Sequence, residues 1–417
     1  MTRPTLAASL LAALSLAAPA VAQEEVRIGV IYPLTGAAAS TGIELKNAAQ
    51  LAADLINGTD KSLGLALAGA GGLPNLKGAK IKLVFADHQG NPQVGATEAE
   101  RLITQEKVAA LAGCYFSSVT ATASQTAERY GVPFLNGESS SPALTQRGFK
   151  WFFRTTPHDE LFVQNAFEFL KDLEKRKGHK VKRIAILAEN TEFGTGTARL
   201  QEKFAKENGY EIVEKVLYPP KSTQLTSEVQ KLKASRPDAV MQSSYLGDAI
   251  LSVKTYKDLG FLPTALLAND AGFNDSEFLK TVGKDGNGVI SREVWALDLE
   301  KQKPVIGKAN ALLQARHGVN FNGNSARAFT AIFALADAIN RAASTKPEAI
   351  QKALRETNIP GDQLIMPWGG IQYDATGQNK LGAGIIVQVQ DGKYVTVWPF
   401  DLASNPVAWP FPAWDKR

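Results

Sequence analysis

Apolar stretches that suit buried strands alternate with stretches of helical spacing along most of the chain. The run at 26–32 predicts a strand, and 42–56 then repeats apolar residues along one helix face. Asn91-Pro92 predicts the start of a later helix, because asparagine is a preferred cap and proline suits the first helical position. The further strands predicted in this first series are 80–87, 108–113 and 132–136.

A second series of strand and helix patterns begins after residues 151–155. Its predicted strands are 183–190, 211–218, 238–245 and 264–270. Repeated βα units predict parallel sheets that are covered by helices on both faces. Two such series predict an α/β protein with two doubly wound parallel-sheet lobes.

The last third of the chain has a different pattern. A helix is predicted at 324–344, and strand-like segments of antiparallel character follow at 371–379 and 384–400. The dipeptide Asp391-Gly392 inside the second segment is a hairpin turn signal. The glycine- and leucine-rich stretch 62–78 predicts an excursion on the surface of the first lobe.

The N-terminus predicts a cleavable signal peptide over residues 1–22. Arg3 precedes a short apolar run, and Ala20 to Ala22 form a cleavage site of small residues before Gln23. The apolar run is shorter than a bilayer span requires, and no later segment of the sequence reaches that length. We therefore expect a mature protein that is not membrane-spanning and that works outside the cytoplasm.

Composition and motifs argue against several classes of function. The chain has 417 residues and a formal net charge of +5, but no basic patch interleaved with aromatic residues, so nucleic-acid binding is not expected. The four histidines have no metal-ligand spacing, and Cys114 is the single cysteine. The sequence has no motif of a serine hydrolase, a zinc protease or a phosphate-binding loop. We therefore predict no catalytic residue, no metal and no cofactor.

Serine pairs follow two neighbouring predicted strands. Ser117 and Ser118 come after one strand at a helix start, and Ser139 and Ser140 come after the next strand. Ligands of open α/β sheets bind at these carboxyl ends, and the free N–H groups of a helix start favour an anion. Serine is also a preferred N-cap, so simple capping is the alternative interpretation of each residue.

Seven stretches distributed over the chain form a more specific pattern than any single motif. In chain order they are VRIGVIYPLTG, FADHQGNPQVG, GCYFSSVTATAS, GVPFLNGESSSP, RIAILAENTEFGTG, PDAVMQSSYLGDA and LLANDAGFNDSEFL. This ordered set resembles the leucine/isoleucine/valine-binding protein family, which are type I periplasmic binding proteins that serve ABC importers. The resemblance covers nearly the whole chain after the predicted signal peptide.

The resemblance implies two lobes that are joined by a hinge of three strand crossings. Lobe 1 would comprise residues 23–154 plus 295–360, and lobe 2 would comprise 155–294 plus 361–417. A small-molecule ligand would be held between them. In this family, serine and backbone groups of lobe 1 hold the ligand carboxylate, while a tyrosine and an acidic residue of lobe 2 meet its ammonium group.

Carried over residue by residue, the resemblance implies Ser117 and the segment 138–140 for the carboxylate, and Tyr245 and Asp270 for the ammonium. The complete set of predicted ligand-binding residues is Thr41, Ser117, Ser118, Glu138, Ser139, Ser140, Phe193, Tyr245 and Asp270.

Two of these residues depart from the family pattern. Thr41 stands where an aromatic residue is common, which would leave more room for the ligand. Glu138 stands where a small residue is typical. Its carboxylate would repel an anionic ligand unless it turned away or paired with a cation such as Arg154.

The predicted function is that of a periplasmic solute-binding protein. It would capture an amino acid or a related carboxylate and deliver it to the permease of an ABC importer, acting as a monomer. The alternative is a periplasmic ligand sensor that reports to a signalling system. Either role would be a binding function and not that of an enzyme.

Overall fold

The computed structural model describes residues 25–417, so the predicted signal peptide lies outside the described residues. The strands are β1 (Glu25–Tyr32), β2 (Lys80–Asp87), β3 (Ala110–Gly113), β4 (Phe134–Asn136), β5 (Phe152–Arg154), β6 (Arg183–Glu189), β7 (Glu211–Tyr218), β8 (Ala239–Ser243), β9 (Ala265–Ala268), β10 (Ile290–Glu293), β11 (Ile359–Pro360), β12 (Gly370–Ile371), β13 (Ile385–Gln390) and β14 (Lys393–Trp398).

Eleven α-helices occur in the described part of the chain. They are α1 (Ala39–Asn57), α2 (Pro92–Thr104), α3 (Ser117–Tyr130), α4 (Asp159–Lys177), α5 (Glu192–Glu207), α6 (Thr226–Ser235), α7 (Leu246–Asp258), α8 (Ser276–Val282), α9 (Val305–His317), α10 (Gly323–Ala342) and α11 (Pro347–Arg355). No helix of this part of the chain has both the length and the apolar composition to cross a bilayer.

Five parallel strands form the first sheet, in the order β2-β1-β3-β4-β5. The inner strand β3 is buried along its whole length, as expected when helices cover both faces of a parallel sheet. The predicted start of α2 is confirmed, because the Asn91 side chain accepts hydrogen bonds from the N–H groups of Gln93 and Val94. We call this sheet and its covering helices the first lobe.

The second sheet has seven strands in the order β14-β13-β10-β9-β8-β6-β7. Strands β6 to β10 are parallel to one another, and β13 and β14 add an antiparallel hairpin at one edge. Asp391 and Gly392 turn this hairpin with φ values of 49° and 71°, so the predicted turn is confirmed. We call this sheet and its helices the second lobe.

The stretch 62–78 is an irregular segment on the first lobe with several exposed residues, but its leucines point inward. Leu63, Leu65 and Leu73 are buried in the core that covers the first sheet. Gly72 allows the chain to fold back on itself, since its φ is 111° and a Cβ atom there would lie 2.3 Å from the Gly78 carbonyl oxygen. The alternating leucines supply core contacts, and the glycines supply the turns between them.

The predicted strand at 371–379 is mostly irregular. Gly370–Ile371 pairs with β11 in a two-stranded sheet, and the following residues form isolated bridges. One of these joins Gln378 to Arg154 at the end of β5, where Asn379 N–H donates to the Arg154 carbonyl. Residues such as Leu364 and Trp368 are buried with the first-lobe core, and the chain joins the second sheet at Ile385. The lobe boundaries inferred from the sequence stay a prediction.

Candidate ligand-binding site between the lobes

The carboxyl ends of the two sheets face each other across a cleft, and a small cavity lies where they meet. We call it the inner cavity. It is lined by Tyr115, Ser117, Glu138, Ser140, Phe193, Tyr245, Asp270, Ala271, Arg292, Asn324 and Arg327. These residues come from both lobes, so the cavity is complete only when the lobes are in contact.

Ser117 is the first residue of α3, but it is not the cap of that helix. The cap position belongs to Phe116, whose side chain makes no capping hydrogen bond. Ser117 is buried, and its Oγ accepts a single long hydrogen bond of 3.4 Å from the N–H of Ser141. The capping interpretation therefore does not account for Ser117, and its hydroxyl lies at a helix start beside the inner cavity.

The other predicted serines have different surroundings. Ser140 lines the inner cavity, and its Oγ accepts a bond of 3.2 Å from Arg292 of the second lobe. Ser139 bonds to Thr120 and to the Tyr115 carbonyl, so its hydroxyl is used within the first lobe. Ser118 lines a second cavity, together with residues such as Asp248. We call it the outer cavity, and it shares Tyr245 with the inner one.

Thr41 does not line the inner cavity either. Its Oγ1 donates to the carboxylate of Asp275, and this bond joins α1 of the first lobe to the start of α8 in the second. Ser141 makes a similar bridge, since its hydroxyl donates to Glu192 over 2.8 Å. The two side chains therefore hold the lobes together beside the cavity.

Aromatic side chains form one wall of the inner cavity. The ring of Tyr245 lies 5.3 Å from Phe193, 5.6 Å from Tyr115 and 4.2 Å from Phe116, measured between ring centroids. Gly194 lets the start of α5 approach β6, because a Cβ atom there would lie 1.9 Å from the Glu189 carbonyl oxygen. Phe193 is thereby carried to the cleft. An apolar or aromatic part of a ligand would pack on this wall.

Asp270 is surrounded by arginines. One carboxylate oxygen accepts a bond of 2.7 Å from Arg292 and a further bond from Arg327 of the first lobe, while the other accepts from Asn274. Arg292 also contacts Asp159 at 3.2 Å. Burial lowers the pKa of Arg292, yet its carboxylate neighbours keep it paired. The Asp270 carboxylate that was predicted to meet a ligand ammonium therefore already has two cationic partners.

Glu138 is buried near Arg292 and Arg327, but its carboxylate forms an ion pair with neither arginine. Its Oε1 accepts a bond of 2.7 Å from the Tyr32 hydroxyl. The pairing with Arg154 that we considered is wrong, because the Arg154 guanidinium donates to the Ser141 carbonyl and to Gln378 instead. Burial raises the pKa of Glu138 to about 7. This group can thus hold or release a proton near neutral pH.

Five lining residues were not predicted from the sequence: Tyr115, Ala271, Arg292, Asn324 and Arg327. Arg327 left a signal, since it is the charged residue in the stretch 323–336 of α10, which is rich in small and apolar residues and is buried throughout. Such a residue is rarely buried without a partner. Within residues 25–417, no group of three or more His, Cys, Asp or Glu side chains is arranged to hold a metal ion.

Comparisons with known proteins agree with this architecture. Residues 25–393 match the family model described as periplasmic binding protein. The chain is 30% identical to Leu/Ile/Val-binding protein homolog 8 of Brucella suis biovar 1, over 97% of this chain and 98% of that protein.

Two solved structures share the fold. The branched-chain amino acid transporter substrate binding protein LivJ of Streptococcus pneumoniae, in complex with isoleucine, has a TM-score of 0.76 and 21% identity, covering 93% of this chain and 100% of that one. A solute binding protein of an R. palustris ABC transporter, in complex with 4-hydroxybenzoate, has a TM-score of 0.74 and 20% identity, covering 94% and 99%.

Proposed function

Because this chain belongs to the periplasmic binding protein family, we propose that it captures a small carboxylate in the inner cavity and presents it to an ABC importer. The observation that carries the proposal is the meeting of hydroxyl groups and arginines from both lobes around one cavity, at Ser117, Ser140, Arg292 and Arg327. A ligand that bonds to both lobes stabilises their closed arrangement, which is the state that a permease can recognise.

The ligand carboxylate would lie at the start of α3. There it would accept bonds from the Ser117 hydroxyl and from N–H groups of the helix start, which favour an anion. Ser117 has only one long bond of 3.4 Å in this structure, so its hydroxyl is free to donate. The remainder of the ligand would pack against Phe193 and Tyr245.

The ligands named for the two similar solved structures support a carboxylate ligand more strongly than any single side chain of this protein does. Isoleucine and 4-hydroxybenzoate differ in shape and in their second polar group, but both carry a carboxylate. Asp270 is compatible with the same choice, because Arg292 and Arg327 already neutralise its carboxylate. Cleavage after residue 22 would release the protein into the periplasm, where such a ligand is collected.

A thermal-shift screen with matched ligands tests the proposal. The panel would contain leucine, isoleucine, valine and 4-hydroxybenzoate, and each would be paired with its amide, in which an uncharged group replaces the carboxylate. A ligand at about 100 times its Kd adds about 2.7 kcal/mol to the free energy of unfolding. We expect at least one carboxylate to raise the Tm and its amide to have a much smaller effect. Equal shifts for acid and amide, or no shift with any acid, would contradict the proposal.

A further inference from the structure

Glu138 lines the inner cavity. Its carboxyl group has an incomplete set of hydrogen bonds. The residue is 4% exposed, and its Oε1 takes the Tyr32 hydroxyl. Within residues 25–417, its Oε2 has no hydrogen-bond partner of normal geometry. A buried polar atom without a partner is costly, so an oxygen in this position on a cavity-lining residue is suited to a bond with a ligand.

The two neighbouring arginines, Arg327 and Arg292, are paired with groups other than the Glu138 carboxyl. Arg327 donates to Asp270, to Asn324 and to the Gly323 carbonyl, and it reaches only the backbone oxygen of Glu138, over 3.5 Å. Arg292 is paired with Asp270 and Asp159. The carboxyl of Glu138 therefore has no ion-pair partner among the described residues.

Other titratable groups that face Glu138 are neutral near pH 7. They are Tyr32 at the end of β1 and Cys114 after β3, and burial raises the pKa of both. The positive charge of Arg327, on α10, and the nearby backbone N–H groups of Gly137 and Glu138 favour the ionised carboxylate, but burial disfavours it more strongly. The protonation state of Glu138 therefore depends on these opposing effects, and the charge of a bound ligand would change it.

We propose, building on the carboxylate-binding function above, that Glu138 enters the complex as a neutral carboxylic acid and donates from Oε2 to the ligand carboxylate. Each ligand bound would then take up to one proton from the solvent. Two carboxylates that share one buried site cannot both stay ionised at low cost, and a shared proton converts their repulsion into a hydrogen bond.

The direction of the pH dependence follows from this linkage. Burial holds the pKa of Glu138 near 7 in the free protein, and an adjacent ligand anion would raise it further. Affinity should therefore be highest below about pH 7 and should weaken as the pH rises, by up to about tenfold per pH unit. If Oε2 instead accepted a bond from a ligand ammonium, the ionised form would bind and affinity would rise with pH.

Titration calorimetry on the full mature chain tests the proposal. Isoleucine and 4-hydroxybenzoate serve as probes, because their carboxylates stay ionised between about pH 5.5 and about pH 8.5. Measurements in two buffers with different ionisation enthalpies count the protons taken up without any mutation. We expect uptake of up to one proton and a Kd that increases about tenfold or more from about pH 6.5 to about pH 8.5.

Glu138→Gln is the matched variant, because its amide can accept the Tyr32 hydroxyl at Oε1 and donate from the position of Oε2. The affinity of this variant for the probes should not change with pH, and at about pH 8.5 it should exceed that of the wild type. Asp248→Asn is the control. The pKa of Asp248 is raised by burial to about 6, but this residue faces the outer cavity, so the variant should keep the wild-type slope.

The possible results separate the two proposals. Binding without proton uptake, affinity that rises with pH, or a wild-type slope that persists in Glu138→Gln would overturn the role of Glu138 alone. An absence of binding by both probes at every pH would overturn carboxylate capture itself, and the role of Glu138 with it.

Discussion

Asp270 of the second lobe and Arg327 of the first lobe form a buried ion pair across the cleft. Arg292 completes the arrangement by binding the same carboxylate oxygen from the second lobe. Burial lowers the pKa of Arg327, but the charges of Asp270 and Glu293 outweigh this effect and raise it, so the guanidinium stays charged. The pair therefore forms when the lobes are in contact, and it determines which charges lie beside the inner cavity.

Replacing Asp270 by asparagine should be strongly destabilising. The substitution would leave the buried Arg292 and Arg327 with less compensating charge, and breaking a buried pair in this way costs about 3–5 kcal/mol. Urea unfolding measures the change. Glu25→Gln is the control, because it breaks an exposed pair with Lys82 and should have little effect. Equal effects of the two substitutions would contradict the importance of the buried pair.

Ser117→Ala should weaken carboxylate binding with little change in stability. Loss of a buried hydrogen bond to the ligand would cost about 1–3 kcal/mol, which is roughly 5-fold to 150-fold in Kd. Calorimetry with the best ligand of the panel measures it. Thr122→Ala removes another hydroxyl from α3, one that bonds to the Pro92 carbonyl away from the cavity, and should leave the Kd unchanged. Unchanged affinity in Ser117→Ala would remove Ser117 from the site.

Stability in the absence of ligand should decrease as the pH rises from about 6.5 to about 8. Burial raises the pKa of Glu44 and Glu138 from 4.5 to about 7 and that of Glu293 to about 8. In this range the folded protein retains protons that the unfolded chain has already lost, so a rise in pH favours unfolding. The opposing effect of His88, whose pKa burial lowers from 6.5 to about 4, lies mostly below this range.

Urea unfolding at both ends of the range gives the change in the free energy of unfolding. Glu44→Gln removes one of the three carboxyl groups and should reduce the decrease. Constant stability, or stability that increases with pH, would show that these glutamates are ionised in the folded protein.

Ligand binding should make the protein more compact in solution. Here the lobes meet through polar contacts such as Thr41 to Asp275, Ser141 to Glu192 and Ser140 to Arg292. Contacts of this kind exchange with water, so we expect the ligand-free protein to populate open arrangements of the lobes as well as the closed one. Small-angle scattering with and without ligand measures the radius of gyration. Identical radii in the two states would contradict closure around a ligand.

Local patterns in the sequence predicted most of the fold. The βα alternation identified both series of parallel strands, and Asp391-Gly392 located the edge hairpin, because strand periodicity and turn chemistry are properties of neighbouring residues. The burial of leucines in the stretch 62–78 was not predicted, for the opposite reason. Its leucines are buried by the folding of the chain around Gly72, which composition does not reveal.

The site was only partly predictable. Strand ends indicated Ser117 and Ser140, since their position depends on the sheet alone. The arginines around Asp270 were missed, because both are distant from it in the sequence. Arg292 reaches it from the neighbouring strand β10 of the same lobe, and Arg327 meets it only when the lobes are in contact. The hydrogen bond of Glu138 to Tyr32 was not predicted either, because Tyr32 ends a strand 106 residues earlier in the sequence.

A crystal structure of the mature protein with the best carboxylate of the panel is the most direct test of the central claim. The account predicts one ligand in the inner cavity, with its carboxylate within hydrogen-bonding distance of Ser117 Oγ and its other end against Phe193 and Tyr245. A carboxylate bound outside the cleft, or in contact with one lobe alone, would contradict capture between the lobes.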